Sequence, residues 1–243
     1  MSYTLITVVL NDRINIEQTI LSIINQSVNL EYIIIDGGST DGTLDIIEKY
    51  KKNIDIIISD KDNGIYDAMN KAVNLSSSKW ICFMNSGDTF FSKNSIRDLF
   101  INIGKNIDVA YGNHEVEYLN KKKVVEAKKI DKIWQGMVFS HQSSFTKRDL
   151  LLEYKFNIKN KITADYEFFY ILYRNKKVFK YVPTVVSSIK AGGVSDIKRI
   201  QSLINRWSIL PKNLKVNVYY LLLIVNEVVK RVIKFILKRI KNK

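Results

Sequence analysis

Asp36 is the residue whose position most clearly suggests chemistry. It ends the apolar run Tyr32–Ile35 and begins a glycine-rich turn at 37–42. Because ligands of open α/β sheets bind beyond the carboxyl ends of the strands, we expect Asp36 to contact the base or ribose of a nucleotide. The alternative is a structural role in the turn, which is the role we predict for Asp41 and Thr43. The glycine spacing matches neither phosphate-loop fingerprint, which disfavours a simple nucleotide hydrolase and an NAD enzyme.

A second carboxylate, Asp88, stands at the end of the polar segment 85–88, directly after the apolar run 80–84. The diphosphate of a nucleotide is bound together with a hard divalent cation such as Mg²⁺ or Mn²⁺. Such a cation takes few oxygen ligands from the protein and the rest from phosphate and water. We therefore predict that Asp88 is a metal ligand. A strand-end turn residue is the alternative.

The elements that must hold these carboxylates follow from the hydrophobic pattern. Short apolar runs alternate with helical patterns, which predicts a parallel sheet with crossover helices and an α/β fold. Strands are predicted over 5–10, 32–35, 54–58 and 80–84, and helices over 16–24, 44–50 and 66–73. Asn15 and Gln18 predict a capping box at the first helix. After Asp88 the pattern is less regular, with a hairpin predicted around Asn120, a helix over 165–173 and a strand over 184–189.

Three motifs resemble the donor half of the family 2 glycosyltransferases: D-G-G-S-T-D-G-T at 36–43, G-I-Y-D-A-M-N at 64–70 and N-S-G-D at 85–88. The resemblance runs from Leu5 to about Ser195. It implies the GT-A fold, a nucleoside-diphosphate sugar donor with a UDP-sugar favoured, a divalent cation and inversion at the anomeric carbon. It also implies a nucleobase contact by Asp36, donor-site positions for Asp62, Asp67, Asn70 and Asn85, and Asp88 as the last carboxylate of the D-x-D metal motif.

Three positions depart from the pattern of that family. Ser86 leaves a single carboxylate in the D-x-D motif, which predicts weak metal affinity without the donor. Met69 stands where many relatives have arginine, and this removes a possible phosphate contact. Leu10 stands where relatives often have tyrosine, and this removes an aromatic contact to the base.

The acceptor half offers two candidate residues. His141 lies in F-S-H-Q-S-S-F, and the resemblance implies a histidine-glutamine segment near the cleft that contacts phosphate or acceptor. A hydrogen-bonded structural histidine is the alternative. Asp165 begins a predicted helix, and the resemblance implies that it is the general base, because inverting transfer needs a carboxylate that deprotonates the acceptor hydroxyl. A helix N-cap is the alternative for Asp165, and Glu167 is the substitute base.

The basic charge is concentrated at the C-terminus. Residues 198–243 contain twelve Lys or Arg and one acid, Glu227, so eleven of the fourteen net positive charges belong to this segment. We predict a catalytic domain at 1–197 and a basic amphipathic helical tail at 198–243. The run 216–225 is too short to span a bilayer. Beyond Glu227, helical spacing gathers basic residues on one arc, namely Lys230, Arg231, Lys234, Lys238 and Lys241, opposite an apolar side that includes Ile240.

The charge distribution favours an anionic membrane surface as partner and disfavours nucleic acid. The single cysteine, Cys82, has no second cysteine to pair with, and we predict that the apolar N-terminal run is a first strand and not a signal peptide. We therefore expect a cytoplasmic enzyme that is peripheral on the inner face of the cell membrane. Packing of the tail on the catalytic domain or on a second subunit is the alternative.

The resemblance implies a glycosyltransferase that moves a sugar, with inversion, from a nucleoside-diphosphate sugar to a hydroxyl of a lipid-linked glycan in cell-surface polysaccharide assembly. One alternative is a polyprenyl-phosphate glycosyl synthase, whose acceptor is a phosphate. An alternative of another class is a non-catalytic module that binds membrane surfaces or nucleic acid and keeps a degenerate nucleotide pocket. The joint presence of Asp36, Asp88 and Asp165 disfavours that class.

Overall fold

A computed structural model describes residues 1–241 of the chain, and the side chains of Lys238, Ile240 and Lys241 lie outside the described part. The strands are β1 (Tyr3–Val9), β2 (Glu31–Asp36), β3 (Ile56–Ser59), β4 (Trp80–Phe83), β5 (Thr89–Phe90), β6 (Val109–Tyr118), β7 (Lys121–Val125), β8 (Ser144–Lys147) and β9 (Phe179–Lys190). The α-helices are α1 (Ile16–Ile24), α2 (Thr43–Lys49), α3 (Ile65–Leu75), α4 (Ser95–Phe100), α5 (Arg148–Tyr154), α6 (Ala164–Arg174), α7 (Val194–Ile197), α8 (Arg199–Ile209) and α9 (Leu214–Lys241). Short 3₁₀ helices lie at Lys51–Asn53, Ile130–Gln135 and His141–Ser143.

The described strands form one nine-stranded sheet in the order β3-β2-β1-β4-β8-β6-β9-β5, with β7 paired to β6. The first four strands are parallel, as predicted, and the register pairs Val9 with Asp36 and Ile6 with Phe83. Strand β8 then runs antiparallel to both β4 and β6. The hairpin predicted around Asn120 is the β6–β7 pair. The α/β fold with a mixed sheet flanked by helices confirms the predicted fold class.

Alternation along the parallel strands divides the core into two layers, one on each face of the sheet. Ile6, Val8 and Ile33 face a layer that contains residues of α3, α5 and α6. Leu5 and Ile34 face a layer that contains residues of α1, α2 and α4. Both layers are apolar because the strands are covered on both sides, which explains the continuous apolar runs in the sequence.

The capping box predicted for α1 is wrong. Asn15 occupies the N-cap position of α1, but its side chain makes no capping hydrogen bond, and the Gln18 side chain binds another segment. Asn15 Nδ2 donates to Asp12 Oδ1 over 2.6 Å, and Gln18 Nε2 donates to the carbonyl of Gly87 over 3.2 Å. The chain around α1 therefore supports the polar turn that follows β4. Gln18 makes this tertiary contact with Gly87 instead of capping the helix.

The beginning of the predicted tail packs into the core. Leu203 and Leu210 of the α8 segment and Val216 and Tyr220 of α9 are buried in the same layer as α6. The Tyr220 hydroxyl donates to the carbonyl of Trp134 over 3.2 Å. No helix in the described part of the chain combines the length and apolarity needed to cross a bilayer. This agrees with the prediction that 216–225 does not span a membrane.

Candidate active site

The polar segments after β1, β2 and β4 lie at one edge of the sheet, because these three strands are parallel neighbours. Asp36 is at the end of β2, and Asp88 follows the turn after β4. The Ser86 hydroxyl donates to Asp12 Oδ2 over 2.7 Å, which joins the turn after β4 to the segment after β1. This edge is the site that the strand order predicts for a ligand.

The carboxylate of Asp36 is fully buried and organises the glycine-rich turn. Its Oδ2 accepts hydrogen bonds from the backbone N–H of Ser39 over 3.0 Å and from the Ser59 hydroxyl over 2.6 Å. The Ser39 hydroxyl donates to Oδ1. Asp36 therefore has the structural role that was the alternative, and its contact with a nucleobase stays a prediction. The next carboxylate, Asp41, accepts from the backbone N–H of Thr43 over 3.0 Å, in the helix-start role predicted for it.

Within the 62–70 segment, the side chains of Asp62 and Asp67 have different surroundings. Asp62 accepts from the backbone N–H of Gly64 over 2.7 Å, and a Cβ added at Gly37 would come within 2.9 Å of Asp62 Oδ2. Asp62 thus lies beside the Asp36 turn. Asp67 instead pairs with Lys71 over 3.0 Å within α3. A hydrogen bond from the Asn63 backbone N–H and the pairing with Lys71 hold the pKa of the Asp67 carboxyl below its ordinary value.

Asn70 holds the backbone of Phe156 with both ends of its amide. Its Nδ2 donates to the Phe156 carbonyl over 2.9 Å, and its Oδ1 accepts from the Phe156 N–H over 2.9 Å. The amide is therefore committed to tying α3 to the segment after α5. Donor-lining roles for Asp67 and Asn70 stay predictions, and their side chains contact other groups in this structure.

Asp88 is a largely buried carboxylate with two protein donors. Gln142 Nε2 donates to Oδ2 over 2.6 Å, and the backbone N–H of Lys190 donates to Oδ1 over 3.1 Å. Burial raises the pKa of Asp88 above its ordinary value in spite of these bonds. A nearby cation would favour the ionised form of such a group.

The oxygen atoms present fit a cation that is held mainly by the donor. Asn85 Oδ1 is buried and has no hydrogen-bond partner among the described residues, and Asn85 belongs to the same turn as Asp88, whose backbone N–H donates to the Asn85 carbonyl. The same part of the chain contains no cluster of three or more His, Cys, Asp or Glu that could hold a metal. One carboxylate and one amide oxygen match a divalent cation whose remaining ligands are phosphate and water.

Asp165 and His141, the two residues predicted for the acceptor side, lie next to each other. His141 Nδ1 lies 3.3 Å from Asp165 Oδ2, and the Tyr66 hydroxyl donates to Asp165 Oδ1 over 3.1 Å. Burial raises the pKa of Asp165, but the hydrogen bond from His141 and the electrostatic effect of its ring outweigh it and leave that pKa below the ordinary value. Helix α6 begins at Ala164 after Thr163, so Asp165 is not the N-cap. The substitute, Glu167, accepts hydrogen bonds from two other residues, Asn157 and Asn160.

The segment His141-Gln142 joins the two predicted functional carboxylates. His141 Nε2 lies 3.2 Å from Asn85 Nδ2, while the next residue, Gln142, binds Asp88. These contacts are satisfied when Nδ1 of the ring carries the proton and Nε2 accepts one from Asn85. Residues 85, 88, 141 and 165 thus converge from three separate stretches of the chain.

Four further residues of this centre escaped the sequence analysis: Tyr66, Gln142, Lys190 and Arg206. Tyr66 and Gln142 lie inside motifs that were recognised, so their polar groups were an available signal. Lys190 contacts Asp88 through its backbone, for which no sequence pattern exists. Arg206 comes from α8, stacks over the Tyr166 ring with its Cζ 5.4 Å from the centroid, and helps to lower the pKa of Asp165.

Comparison with known proteins agrees with this geometry. Residues 4–180 match the family model described as glycosyl transferase family 2. A glycosyltransferase of PGL/p-HBAD biosynthesis from Mycobacterium bovis is 30% identical over 176 residues, which cover 69% of this chain and 68% of that protein.

Solved structures of similar fold were also found. Residues 1–349 of S. aureus TarS in complex with UDP superpose with a TM-score of 0.65 at 18% identity, covering 86% of this chain and 65% of that one. The mannosyltransferase PcManGT from Pyrobaculum calidifontis, in complex with GDP-Man and Mn²⁺, gives a TM-score of 0.65 at 16% identity, covering 85% and 63%. This chain therefore spans somewhat less than two thirds of each of these two structures, and the likeness shows the fold.

Proposed function

This chain belongs to glycosyl transferase family 2, and we propose that it transfers a sugar from a nucleoside-diphosphate sugar to an acceptor hydroxyl with inversion at the anomeric carbon. A UDP-sugar is the favoured donor. The observation that carries the proposal is the link made by His141-Gln142 between Asp165 and Asp88. That link holds a candidate base and a candidate metal ligand in one site, as a single displacement at one carbon requires.

In the proposed reaction Asp165 is the general base. Its lowered pKa keeps the carboxylate ionised at neutral pH, so it can accept the proton of the acceptor hydroxyl. The acceptor oxygen then bonds to the anomeric carbon as the bond from that carbon to the diphosphate breaks, and the nucleoside diphosphate leaves. His141 and Tyr66 hold the two oxygens of Asp165 while the proton is transferred.

The edge of the sheet that carries Asp36 and Asp88 is proposed to bind the donor and to neutralise the charge of its diphosphate. Asp36 and Asp62, which are adjacent in the site, are proposed to contact the nucleoside. Asp88 would hold a Mg²⁺ or Mn²⁺ ion, with Asn85 Oδ1 as a second oxygen ligand. When bound, such an ion neutralises charge on the departing diphosphate. The Mn²⁺ named with PcManGT and the UDP and GDP-Man named with the two similar structures support this assignment.

The proposed acceptor is a glycan hydroxyl on a lipid-linked intermediate of cell-surface polysaccharide assembly, used on the cytoplasmic face of the cell membrane. The basic C-terminal segment supports this setting, because it is suited to an anionic surface. A phosphate acceptor, as in a polyprenyl-phosphate glycosyl synthase, is distinguished by assaying transfer to polyprenyl phosphate and to a glycan hydroxyl side by side.

The testing experiment is calorimetric titration of UDP and of UDP-sugars with and without Mn²⁺, followed by a measurement of UDP release. We expect metal-dependent binding and slow release of UDP from a UDP-sugar, with water as the acceptor. The absence of binding by any nucleoside diphosphate, with either metal, would contradict the proposal. It would favour the non-catalytic module instead.

A further inference from the structure

Helix α9 presents different faces to the protein and to its surroundings. On one side, Val216 and Tyr220 are buried, and Leu223 and Ile224 pack against the same core layer. The other side carries Leu214, Val218, Leu221, Leu222 and Val225, whose exposed fractions run from 44% to 80%. At about 100° per residue these five fall on one face of the helix. The part of α9 that packs on the body therefore also presents an apolar face away from it.

The same face continues past the body of the protein. Val228, Val229, Val232, Ile233 and Ile236 lie in line with the first five and are 44% to 51% exposed. We call these ten residues, from Leu214 to Ile236, the α9 stripe. At ~1.5 Å per residue the stripe is roughly 33 Å long, and at about 100° per residue it covers roughly 140° of the helix. Large contiguous apolar patches on a protein surface mark interaction sites.

The opposite side of the projecting half is basic. Lys230, Arg231 and Lys234 continue the line of the face that packs on the body, and all are exposed. The only acid of this segment, Glu227, pairs with Arg231 at 3.6 Å. An apolar face backed by charge of one sign is the pattern of a helix that lies in the interface of an anionic bilayer.

We propose that the α9 stripe docks the enzyme on an anionic bilayer, with α9 parallel to the membrane and the catalytic body on its far side. The partner is thus a lipid surface that contacts the whole stripe, including the half beside the core, and not the last residues alone. This inference deepens the proposed cellular setting but does not depend on the transfer reaction.

A second copy of the chain fits the stripe less well than a bilayer does. A two-stranded coiled coil buries a narrow seam and relies on acid-base pairs beside it. The stripe is much wider than such a seam, and Lys230, Arg231 and Lys234 have no acidic residue after Glu227 to pair with on a second helix. A flat, negatively charged surface can cover the full width of the stripe and attracts the basic residues of α9.

The orientation has a consequence for the acceptor side of the site. Tyr219 and Tyr220 of α9 donate to the carbonyls of Gln135 and Trp134, in the 3₁₀ helix Ile130–Gln135. The Tyr166 hydroxyl of α6 donates to Ile133 in that same 3₁₀ helix, and Tyr166 follows the candidate base. Docking through α9 therefore brings the bilayer to the half of the molecule that holds Asp165.

The test is flotation of the full-length protein with vesicles of phosphatidylcholine alone and with vesicles containing phosphatidylglycerol. We expect binding only to the anionic vesicles, weakened by salt. The double variant L221E/V225E lies in the half of the stripe beside the core and should lose at least tenfold in partition coefficient. The matched control is L119E/V124E, which adds the same two negative charges at exposed apolar residues of the β6–β7 hairpin and should float like the parent.

Two results would overturn the inference. One is a double variant that floats as well as the parent while its melting temperature and UDP binding are unchanged. The other is a parent indifferent to lipid charge that light scattering shows to be a dimer, with L221E/V225E a monomer, since a second copy would then cover the stripe. The UDP titration tests the proposed function separately, because membrane binding can fail while metal-dependent donor binding remains.

Discussion

His141 Nδ1 and Asp165 Oδ2 lie 3.3 Å apart, although the two residues belong to different segments of the chain and neither is part of the donor motifs. The contact uses one oxygen of the carboxylate, and the Tyr66 hydroxyl takes the other. The carboxylate is only 22% exposed, so the direction in which it can meet an acceptor is restricted. This arrangement leads to the first three predictions.

Asp165→Asn should retain the fold and donor affinity but lower the rate of UDP release by a factor on the order of 10² or more, because the amide cannot accept the proton of the acceptor hydroxyl. Calorimetry with UDP and Mn²⁺ measures the binding, and release of UDP from a UDP-sugar measures turnover. Turnover at the parental rate would exclude Asp165 as the base and would direct attention to Glu167.

His141→Ala should move the acidic limb of the pH–rate profile to higher pH. Burial raises the pKa of Asp165, whereas the hydrogen bond from His141 and the electrostatic effect of its ring lower it, so removing the ring leaves burial to dominate. The base must be ionised, and activity is then lost at a higher pH as the solution is acidified. A profile with an unchanged acidic limb would show that His141 does not act on Asp165.

Tyr66→Phe should lower turnover by about tenfold and shift the acidic limb in the same direction, because it removes one hydrogen bond to the carboxylate and preserves the ring. The ring packs against Phe156 with centroids 5.7 Å apart, so the fold should persist. Tyr32→Phe is the matched control, since it removes a buried hydroxyl that binds only Thr7 among the described residues. Equal effects of the two variants on turnover would show that the Tyr66 hydroxyl has only a structural role.

Asp88→Ala should abolish transfer together with the metal-dependent part of UDP binding. Asp41→Ala is the control and should lower the melting temperature but leave that binding intact. Its carboxylate accepts from the backbone N–H of Arg13 and from the N–H and hydroxyl of Thr43, which is a structural role at the start of α2. Titration of UDP with and without Mn²⁺ separates the two. Undiminished metal-dependent binding in the Asp88 variant would overturn the metal assignment.

Asn70→Ala should destabilise the protein by about 1–3 kcal/mol, because two buried backbone groups of Phe156 lose their partners. UDP affinity should stay within twofold of the parent in this variant. Asn74→Ala, on the same helix, removes a single exposed hydrogen bond and serves as the control in denaturant unfolding. A weakened UDP affinity at normal stability would restore the donor-lining role expected from the family resemblance.

The parallel half of the fold was predictable because its signals are local. Each strand from β1 to β4 is a continuous apolar run, and each is followed by a turn that breaks the run. Strand β8 was missed because Ser144–Lys147 has one large apolar residue, Phe145, and becomes a strand by lying between β4 and β6. The capping box failed for a related reason, since Asn15 Oδ1 accepts from Lys190 and Gln18 Nε2 donates to Gly87, both far away along the chain.

The site was predictable as a set of residue types and not as a set of contacts. Asp36, Asp88 and Asp165 stand at the ends or beginnings of regular elements, and the periodicity of the sequence locates those ends. The bonds from Tyr66 to Asp165 and from Gln142 to Asp88 span 99 and 54 positions, and local periodicity carries no information about such distances.

The two hydrogen bonds between the Asn70 side chain and the Phe156 backbone restrict how the enzyme can move. Two hydrogen bonds join the helix of the donor motif to the segment that leads to α6, and one continuous sheet runs through both halves. A hinge between the halves would have to break both bonds, so these halves are expected to behave as one rigid unit. Any movement that accompanies donor binding is then expected in the loops at the strand ends, and hydrogen exchange at the Phe156 amide should be as slow as in the core of the sheet.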